Sequence, residues 1–374
     1  MKKLIVIHNI FPVYIKGFWD KLLYSKDFDV DFYFSNKTYQ GIKAINPISS
    51  YRRPLLEKFH FTHNFYLKKY LIWQTSVVST CLFKEFDTAI FLGEATIIST
   101  WVGSIIARLR GKKVIFRGHG LYGNEKSIKL LARKLFYSIP NEHLIYSEGS
   151  KNYMIKNGFS NENIHVIYNS LQYDLQKKIF DELVNGSIKK TWKYFKNKNP
   201  ILFFMGRLTK EKKIDLLIDA VSNLNKEKPK YNLLVIGDGD EYSFLRKKSL
   251  KLIENGTCHF TGKVFDEFQL ANYIYFSDLC VSPGNIGLTA IHSLTYGTPI
   301  ATHNNNLNQG PEFEIIHDSV NGFFFKENDC QSLEKQIQKW FQKDNNNMKK
   351  ESLREIIDLK YNPNYQLKLL KRII

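Results

Sequence analysis

A cationic loop in the second half of the chain carries the residues best suited to chemistry. The apolar run Phe203–Met205 leads into Gly206, Arg207 and then Lys212. A helix N-terminus and full positive charges at the carboxyl end of a parallel strand attract anions. The segment therefore predicts a phosphate or diphosphate site, in which Arg207 and Lys212 stabilise charge on a leaving group without a metal. A solvated basic turn is the alternative for this segment taken alone.

Two further glycine-containing segments follow apolar strands. Gly284, Gly287 and Leu288 precede a helix-like stretch, and glycines allow backbone N–H groups to approach a phosphate closely. They form a second candidate anion site. Asp238 lies between two glycines after another strand and is a candidate for the border of a nucleotide base, although a simple strand-to-helix turn also explains it.

Short apolar strands alternate with helix-like stretches throughout the chain. In the first half they are expected at Leu4–His8, Val30–Phe34, Thr88–Leu92, Lys113–Phe116, His143–Tyr146 and His165–Ile167. In the second half they are expected at Ile201–Met205, Asn232–Ile236, Cys258–Thr261, Leu279–Ser282 and Pro299–Thr302. Such alternation favours parallel sheets covered by helices on both faces.

We therefore predict an α/β protein with two domains. The first covers residues 1–170 and the second residues 201–350, with a lysine-rich linker region at 171–200. The last stretch, 351–374, is expected to be helical and to pack back on the first domain. Each domain should carry its ligand at the carboxyl edge of its sheet.

The composition is that of a folded and strongly basic protein. Of the 374 residues 43% are hydrophobic, and the net charge is +18, which predicts anionic partners: nucleic acid, an acidic membrane surface or phosphorylated small molecules. The four cysteines are far apart and lack metal-ligand spacing, so we expect reduced core residues and no metal site. No run approaches the ~20 apolar residues that cross a bilayer.

The second half resembles the family-four retaining glycosyltransferases of GT-B fold, also called group 1. Gly206-Arg-Leu-Thr-Lys-Glu-Lys212 is similar to the G-R-L-x-x-x-K element whose Arg and Lys contact the donor diphosphate in that family. Further segments agree in order, namely Leu234–Gly239, Phe260–Lys263, Ser277–Pro283, Gly287–Leu288 and Tyr296–Ile300. The resemblance implies two Rossmann-like doubly wound domains facing a cleft. It also implies donor-binding roles for Gly206, Asp238, Gly284, Gly287 and Leu288, and catalytic roles for Arg207 and Lys212.

The chain departs from this family at two positions. The family carries two glutamates separated by seven residues around the Gly-Leu step, and this chain has Gly284 and His292 there. A histidine can still hydrogen-bond a ribose hydroxyl, because one ring nitrogen donates and the other accepts. Gly284 offers only its backbone. Glu312, after the next strand, is a candidate for the missing carboxylate, with an ordinary loop acid as the alternative.

The first half contributes two candidates of its own. Arg117–Gly123 follows a predicted strand and matches G-x-G-x-x-G, so a nicotinamide-binding unit is one alternative. The resemblance instead places His119 beside the reacting sugar or the acceptor, unless it is a buried structural histidine. Glu94 is an acceptor-side candidate, because a carboxylate can orient a hydroxyl; an exposed loop acid is the other reading.

A basic and aromatic stretch points to a membrane surface. It comprises Tyr51–Pro54, Lys58 and Lys68–Trp73, and cations interleaved with aromatics are typical of segments on an anionic bilayer. A solvated helix face over the core is the alternative. We expect a cytoplasmic protein, peripheral on the inner face of the cell membrane.

The resemblance implies a nucleotide-sugar-dependent hexosyltransferase. It would move a sugar, with retention of configuration, to a sugar or lipid-linked glycan in surface polysaccharide biosynthesis, such as capsule or O-antigen. The nucleotide sugar is a substrate; no cofactor, metal or nucleic acid is expected. Three alternatives remain: a GT-B nucleotide-sugar epimerase, a basic membrane- or nucleic-acid-binding protein without catalysis, and a Rossmann oxidoreductase.

Overall fold

The computed structural model describes residues 1–35, 44–67, 71–343 and 349–374. The strands are β1 Lys2–Ile10, β2 Phe28–Ser35, β3 Phe59–Phe61, β4 Asn64–Leu67, β5 Leu71–Gln74, β6 Thr88–Leu92, β7 Lys113–Gly118, β8 Glu142–Ile145, β9 Ile164–Val166, β10 Ile201–Met205, β11 Asn232–Ile236, β12 Cys258–Gly262, β13 Leu279–Ser282, β14 Ile300–His303 and β15 Gly322–Phe325. The α-helices are α1 Lys16–Leu23, α2 Pro47–Ser50, α3 Val77–Phe83, α4 Ile98–Leu109, α5 Ser127–Tyr137, α6 Glu148–Lys156, α7 Tyr173–Val184, α8 Ile214–Leu224, α9 Tyr242–Lys248, α10 Leu250–Glu254, α11 Glu267–Tyr275, α12 Thr289–Thr295, α13 Cys330–Gln342, α14 Lys350–Leu359 and α15 Pro363–Ile373.

The chain divides into two compact units. Unit 1 comprises residues 1–172 and 362–374, and unit 2 comprises residues 173–361. The division falls at the start of the region that the sequence assigns to a linker, because α7 packs on α11 and the following segment packs on unit 2. There, Trp192 is buried and its indole N–H donates to the carbonyl oxygen of Asn272 at 3.3 Å.

Unit 1 is built on a seven-stranded parallel sheet in the order β3-β2-β1-β6-β7-β8-β9. Its interior strand β1 is buried from Leu4 to Ile10, as expected for a parallel strand covered on both faces. Helix α15 packs on α1, and Gln366 donates to the carbonyl oxygen of Tyr168 at 2.9 Å. Of the C-terminal stretch 351–374, residues 362–374 therefore lie in unit 1, whereas α14 packs on α12 of unit 2.

Unit 2 is built on a six-stranded parallel sheet in the order β12-β11-β10-β13-β14-β15. This is the doubly wound order, which reverses direction between β10 and β13, the point where open α/β sheets bind ligands. Helix α8 shows why the sequence folds this way: Ile214, Leu217, Val221 and Leu224 share one buried face at helical spacing. The predicted α/β architecture of two doubly wound units is confirmed.

Three of the cysteines lie in these cores. Cys81, Cys258 and Cys280 are buried and unbridged, and burial raises the pKa of each thiol to about 12. Such thiols are unreactive near neutral pH. Across the described ranges, no helix is long and apolar enough to span a bilayer.

Candidate functional site

The carboxyl edge of the unit 2 sheet brings together the segments that the sequence singles out. Gly206 follows β10 and Gly284 follows β13, and these two strands are hydrogen-bonded neighbours. The Thr289 hydroxyl at the start of α12 donates to the carbonyl oxygen of Met205 at 3.1 Å. The loop of Arg207 and the start of α12 therefore lie on either side of the point where strand order reverses.

The glycines around Asp238 allow two loops to touch through their backbones. A Cβ at Gly237 would clash with the carbonyl oxygen of Gly206, and one at Gly239 would lie 2.5 Å from the carbonyl oxygen of Leu208. The Leu208 N–H donates to the carbonyl oxygen of Asp238 at 3.0 Å. The Asp238 side chain is exposed and accepts from the Gly239 N–H at 2.8 Å. These glycines therefore shape the loop that carries Arg207.

Lys212 ends a short 3-10 helix and points toward α12. Its Nζ donates to the carbonyl and side-chain oxygens of Asn285, both at 2.6 Å. Burial and the nearby Arg207 lower the pKa of Lys212, while Glu312 and Glu211 act in the opposite direction. Arg207 is itself exposed. Two cations held close together favour an anion between them.

Gly284 has no room for any side chain. Its N–H donates to the carbonyl oxygen of Lys212 at 3.1 Å. A Cβ there would clash with the carbonyl oxygen of Glu211 and lie 2.8 Å from Cα of Lys212. The backbone of the cationic loop thus fills the space that a side chain at position 284 would take.

Glu312 supplies a carboxylate close to this loop. It lies on a 3-10 helix, Pro311–Ile315, that contacts α12. Its side chain is 5% exposed, and its charge acts on the pKa of Lys212. Glu312 therefore lies close enough to Lys212 for its negative charge to favour the protonated ammonium.

The start of α12 presents unpaired backbone donors. Gly287 has φ +56°, a left-handed conformation that glycine adopts without strain, and the space around it is open. Within the described ranges, the N–H groups of Gly287, Leu288 and Thr289 donate to no acceptor. Unpaired N–H groups at a helix start attract anions. At the other end, Gly297 follows the helix with φ +65°, as a C-terminal cap requires.

His292 is paired with an acid that sequence reasoning missed. Its Nε2 lies 2.8 Å from Oε1 of Glu267 on α11. The same oxygen accepts from Tyr296 at 2.6 Å and from Gln176 at 3.0 Å. Burial raises the pKa of Glu267, but the charge of His292 and these hydrogen bonds outweigh burial and lower it to about 2. No local pattern signals this pair, because its members come from different helices.

His119 lies at the carboxyl edge of the unit 1 sheet, just after β7. Burial, and then the charges of Arg133 and Arg117, lower the pKa of His119 to about 4. Its ring lies against Tyr146, with the centroids 5.0 Å apart. A neutral imidazole donates one hydrogen bond and accepts another but is a weak base at neutral pH. His119 is therefore suited to hydrogen-bonding a hydroxyl.

The G-x-G-x-x-G segment in this loop is already filled by the protein's own groups. The Gly120 N–H donates to the Tyr137 hydroxyl at 3.1 Å. The N–H groups of Tyr122 and Gly123 donate to the Glu125 carboxylate at 2.6 and 2.8 Å. An internal carboxylate thus takes up two backbone donors of this segment. These internal contacts argue against the nicotinamide alternative for this segment.

Glu94 follows β6 and lies near the same loop. It is half-buried, and the Thr96 hydroxyl lies 3.4 Å from its Oε1. Burial raises the pKa of Tyr122, and the charge of Glu94 raises it further. Unit 1 therefore brings Glu94 and His119 to one loop cluster around Tyr122, whose ring centroid is 5.5 Å from that of His119.

The basic and aromatic stretch is only partly a free surface. Tyr51 donates to Asp20 at 2.7 Å and stacks on Phe59, and Lys58 pairs with Asp29 at 2.6 Å. Tyr51 and Lys58 therefore contact other residues of unit 1. Arg52 and Arg53 are exposed, whereas residues 68–70 lie outside the described residues.

Comparisons with known proteins agree with this architecture. Residues 188–355 match the family model of glycosyl transferases group 1. An uncharacterized glycosyltransferase of Methanocaldococcus jannaschii is 29% identical over 300 residues, covering 74% of this chain and 71% of that protein. An alpha-monoglucosyldiacylglycerol synthase of Streptococcus pneumoniae is 31% identical over 107 residues, 28% of this chain and 24% of that protein. The solved structure of Anabaena HepE with UDP-glucose superposes with a TM-score of 0.66 at 16% identity, covering 100% of this chain and 99% of that chain.

Proposed function

This chain is a GT-B-fold glycosyltransferase whose residues 188–355 belong to the glycosyl transferases group 1, and we propose that it transfers a sugar from a nucleotide sugar to a glycan or lipid-linked acceptor. One observation carries the proposal. Arg207 and Lys212 lie beside the unpaired N–H groups of α12, at the point where strand order reverses in unit 2. Because the chain is an enzyme of this class, a basic protein without catalysis no longer accounts for it.

The leaving diphosphate is stabilised by charges that the protein holds in place. Lys212 is partly buried and, among the described residues, donates only to the neutral oxygens of Asn285. A phosphate oxygen is a stronger acceptor for the ammonium, because its negative charge adds Coulomb attraction to the hydrogen bond. Arg207 and the start of α12 add charge and directed donors. In this proposal the diphosphate leaves without a metal cofactor.

The sugar is transferred with retention and without a protein nucleophile. The acceptor hydroxyl bonds to the anomeric carbon on the face from which the diphosphate leaves, and a donor phosphate oxygen takes the hydroxyl proton. Gly284 leaves no side chain to contact the donor sugar. Glu312, buried beside Lys212, orients sugar hydroxyls. His119 and Glu94 on unit 1 hydrogen-bond hydroxyls on the acceptor side.

His292 and Asp238 recognise the nucleoside. The Glu267 carboxylate is ionised and holds the His292 ring by its Nε2. A ring fixed through one nitrogen presents the other to a ribose hydroxyl. Asp238, on the exposed side of its loop, borders the base. In this proposal His292, held in place by the Glu267 carboxylate, contacts the ribose in place of the glutamate that the family carries.

The reaction takes place at the inner face of the cell membrane, in surface polysaccharide biosynthesis. The charge of +18 and the exposed Arg52 and Arg53 favour an anionic surface. Phe65 and Tyr66 on the β4-β5 hairpin are 58% and 50% exposed, and aromatic side chains suit the membrane interface. The Streptococcus pneumoniae relative is itself named for a diacylglycerol product.

Thermal-shift measurements with UDP, GDP, CMP and their sugars test the proposal directly. A ligand that binds only the folded state raises the melting temperature, so one nucleoside diphosphate and its sugar should stabilise the protein. NMR of the product with that donor and a glycan acceptor should then show the donor's anomeric configuration. If no nucleotide stabilises the chain, the proposal is wrong. An altered sugar formed without acceptor would identify an epimerase instead.

A further inference from the structure

Arg117 is a buried cation for which the proposed mechanism has no use. It lies on β7, it is 2% exposed, and no carboxylate in the described ranges forms an ion pair with it. Its guanidinium is enclosed by the rings of Phe18, Trp19 and Tyr146, at 5.6, 5.5 and 4.9 Å from their centroids. Cation–π contacts offset part of the cost of burying a charge but do not neutralise it.

The hydrogen bonds around Arg117 are also incomplete. Its Nη1 donates to the Tyr146 hydroxyl at 2.9 Å. Within the part of the chain that the structure describes, neither its Nε nor the indole Nε1 of Trp19, both buried, has an acceptor. Nη2 donates to no described residue and, unlike Nε, is not fully buried. Buried donors normally have partners, so this cluster lacks an acceptor-rich group.

The neighbouring imidazoles supply hydrogen bonds but no further charge. Burial, and then the charge of Arg117, lower the pKa of His8 to about 3, and His119 is likewise neutral at pH 7. His8 lies at the carboxyl end of β1, and its ring is 6.3 Å from that of Trp19. Arg133 also acts on His119 but is paired with Glu125 at 3.3 Å. Arg117 is thus a positive charge without a carboxylate partner in the described ranges, surrounded by aromatic rings and neutral imidazoles, which suits a single small oxyanion.

We propose that Arg117 binds an anionic group of the acceptor, a phosphate or a carboxylate, at the carboxyl edge of the unit 1 sheet. The guanidinium fork matches either group geometrically. This inference rests on the proposed function, because it names the class of acceptor that unit 1 takes.

Isothermal titration calorimetry on the full chain tests it, with inorganic phosphate and glucuronate as probes and glucose as the neutral counterpart. Arg117→Gln should weaken binding of one anion tenfold or more and leave UDP affinity within twofold. The anion affected tells phosphate from carboxylate. Because phosphate also suits the donor site, each titration is repeated with Lys212→Ala, in which the Arg117 effect should persist. Unchanged affinity for both anions in Arg117→Gln would overturn the proposal.

Two further results separate the possible failures. If UDP does not bind the wild type while Arg117→Gln still weakens anion binding, the proposed function fails and the anion site stands. Should Arg117→Gln not fold, Trp19→Phe keeps a six-membered aromatic ring and removes the pyrrole ring with its N–H. It should weaken binding of the same anion severalfold; unchanged binding there contradicts the proposal.

Discussion

The carboxyl edges of the two sheets share a topology and differ in what fills them. In unit 2, glycines bring loops together and leave the α12 N–H groups open beside Lys212. In unit 1, the N–H groups of the loop already donate to the Glu125 carboxylate and the Tyr137 hydroxyl. The buried cation Arg117 is enclosed by aromatic rings. One edge therefore suits a diphosphate, and the other a smaller group.

This difference shows that a glycine-rich loop is not by itself a phosphate site. A Cβ at Gly118, in the first loop, would lie 2.9 Å from the carbonyl oxygen of Gly93. Glycine is therefore required at position 118 because the two backbones pack closely. Gly287 has open space around it and serves backbone conformation at a free helix start. The same residue type thus has two purposes, and the neighbouring groups decide which one applies.

Removing Lys212 should have the largest effect on the unit 2 edge. In the proposed mechanism Lys212→Ala deletes a charge-assisted contact to the leaving group, so we expect kcat/KM for the true donor to fall by about 10²–10³. Lys210→Ala is the matched control, because Lys210 is exposed on the same 3-10 helix, and it should change kcat/KM less than twofold. If Lys212→Ala and Lys210→Ala lower kcat/KM equally, Lys212 has no special role, and the proposed difference between the two sheet edges is lost.

Filling Gly284 should damage the same edge through packing. Gly284→Ala forces a Cβ into the backbone of Glu211 and Lys212, which should cost about 1–3 kcal/mol in the free energy of unfolding, as overpacking does. The measurement is urea denaturation. Gly287→Asn, in open space and with a residue that tolerates positive φ, should cost less. If Gly287→Asn proves the costlier of the two, the close loop contact is not what excludes a side chain at 284.

The Glu267–His292 pair should make stability depend on acid pH. The pKa of Glu267 is lowered to about 2 from 4.5, so its contribution is present above about pH 4.5 and is lost as pH falls toward 2. Glu267→Gln should therefore be destabilised by about 1–3 kcal/mol at pH 7, with the difference from wild type shrinking over that window. Glu254→Gln, at an exposed acid, should show no such trend in chemical denaturation. A pH-independent difference for Glu267→Gln would contradict the ionised pair.

Breaking the internal carboxylate of unit 1 should have the smallest effect. Glu125→Gln weakens hydrogen bonds from Tyr122 and Gly123 and the ion pair with Arg133 at 3.3 Å, at a cost of about 1–2 kcal/mol. The melting temperature should fall while UDP affinity stays within twofold. Loss of UDP affinity in this variant would mean that the nucleotide binds unit 1 and not unit 2.

The sequence by itself determined the strand and helix alternation, the two α/β units and the cationic loop after β10. These features depend on local periodicity and on motifs within a few residues, so they can be read directly along the chain. The helix after Gly287 and its end at Gly297 are of the same kind.

Only the tertiary structure decided what lies beside those residues. It placed the Glu211 backbone against Gly284, paired Glu267 with His292, put Glu125 in the first glycine loop and enclosed Arg117 in aromatic rings. It also divided the chain before α7, because packing of the following segment on unit 2 assigns it there. The physical reason is that burial and partner choice depend on residues far apart in sequence, which periodicity does not report.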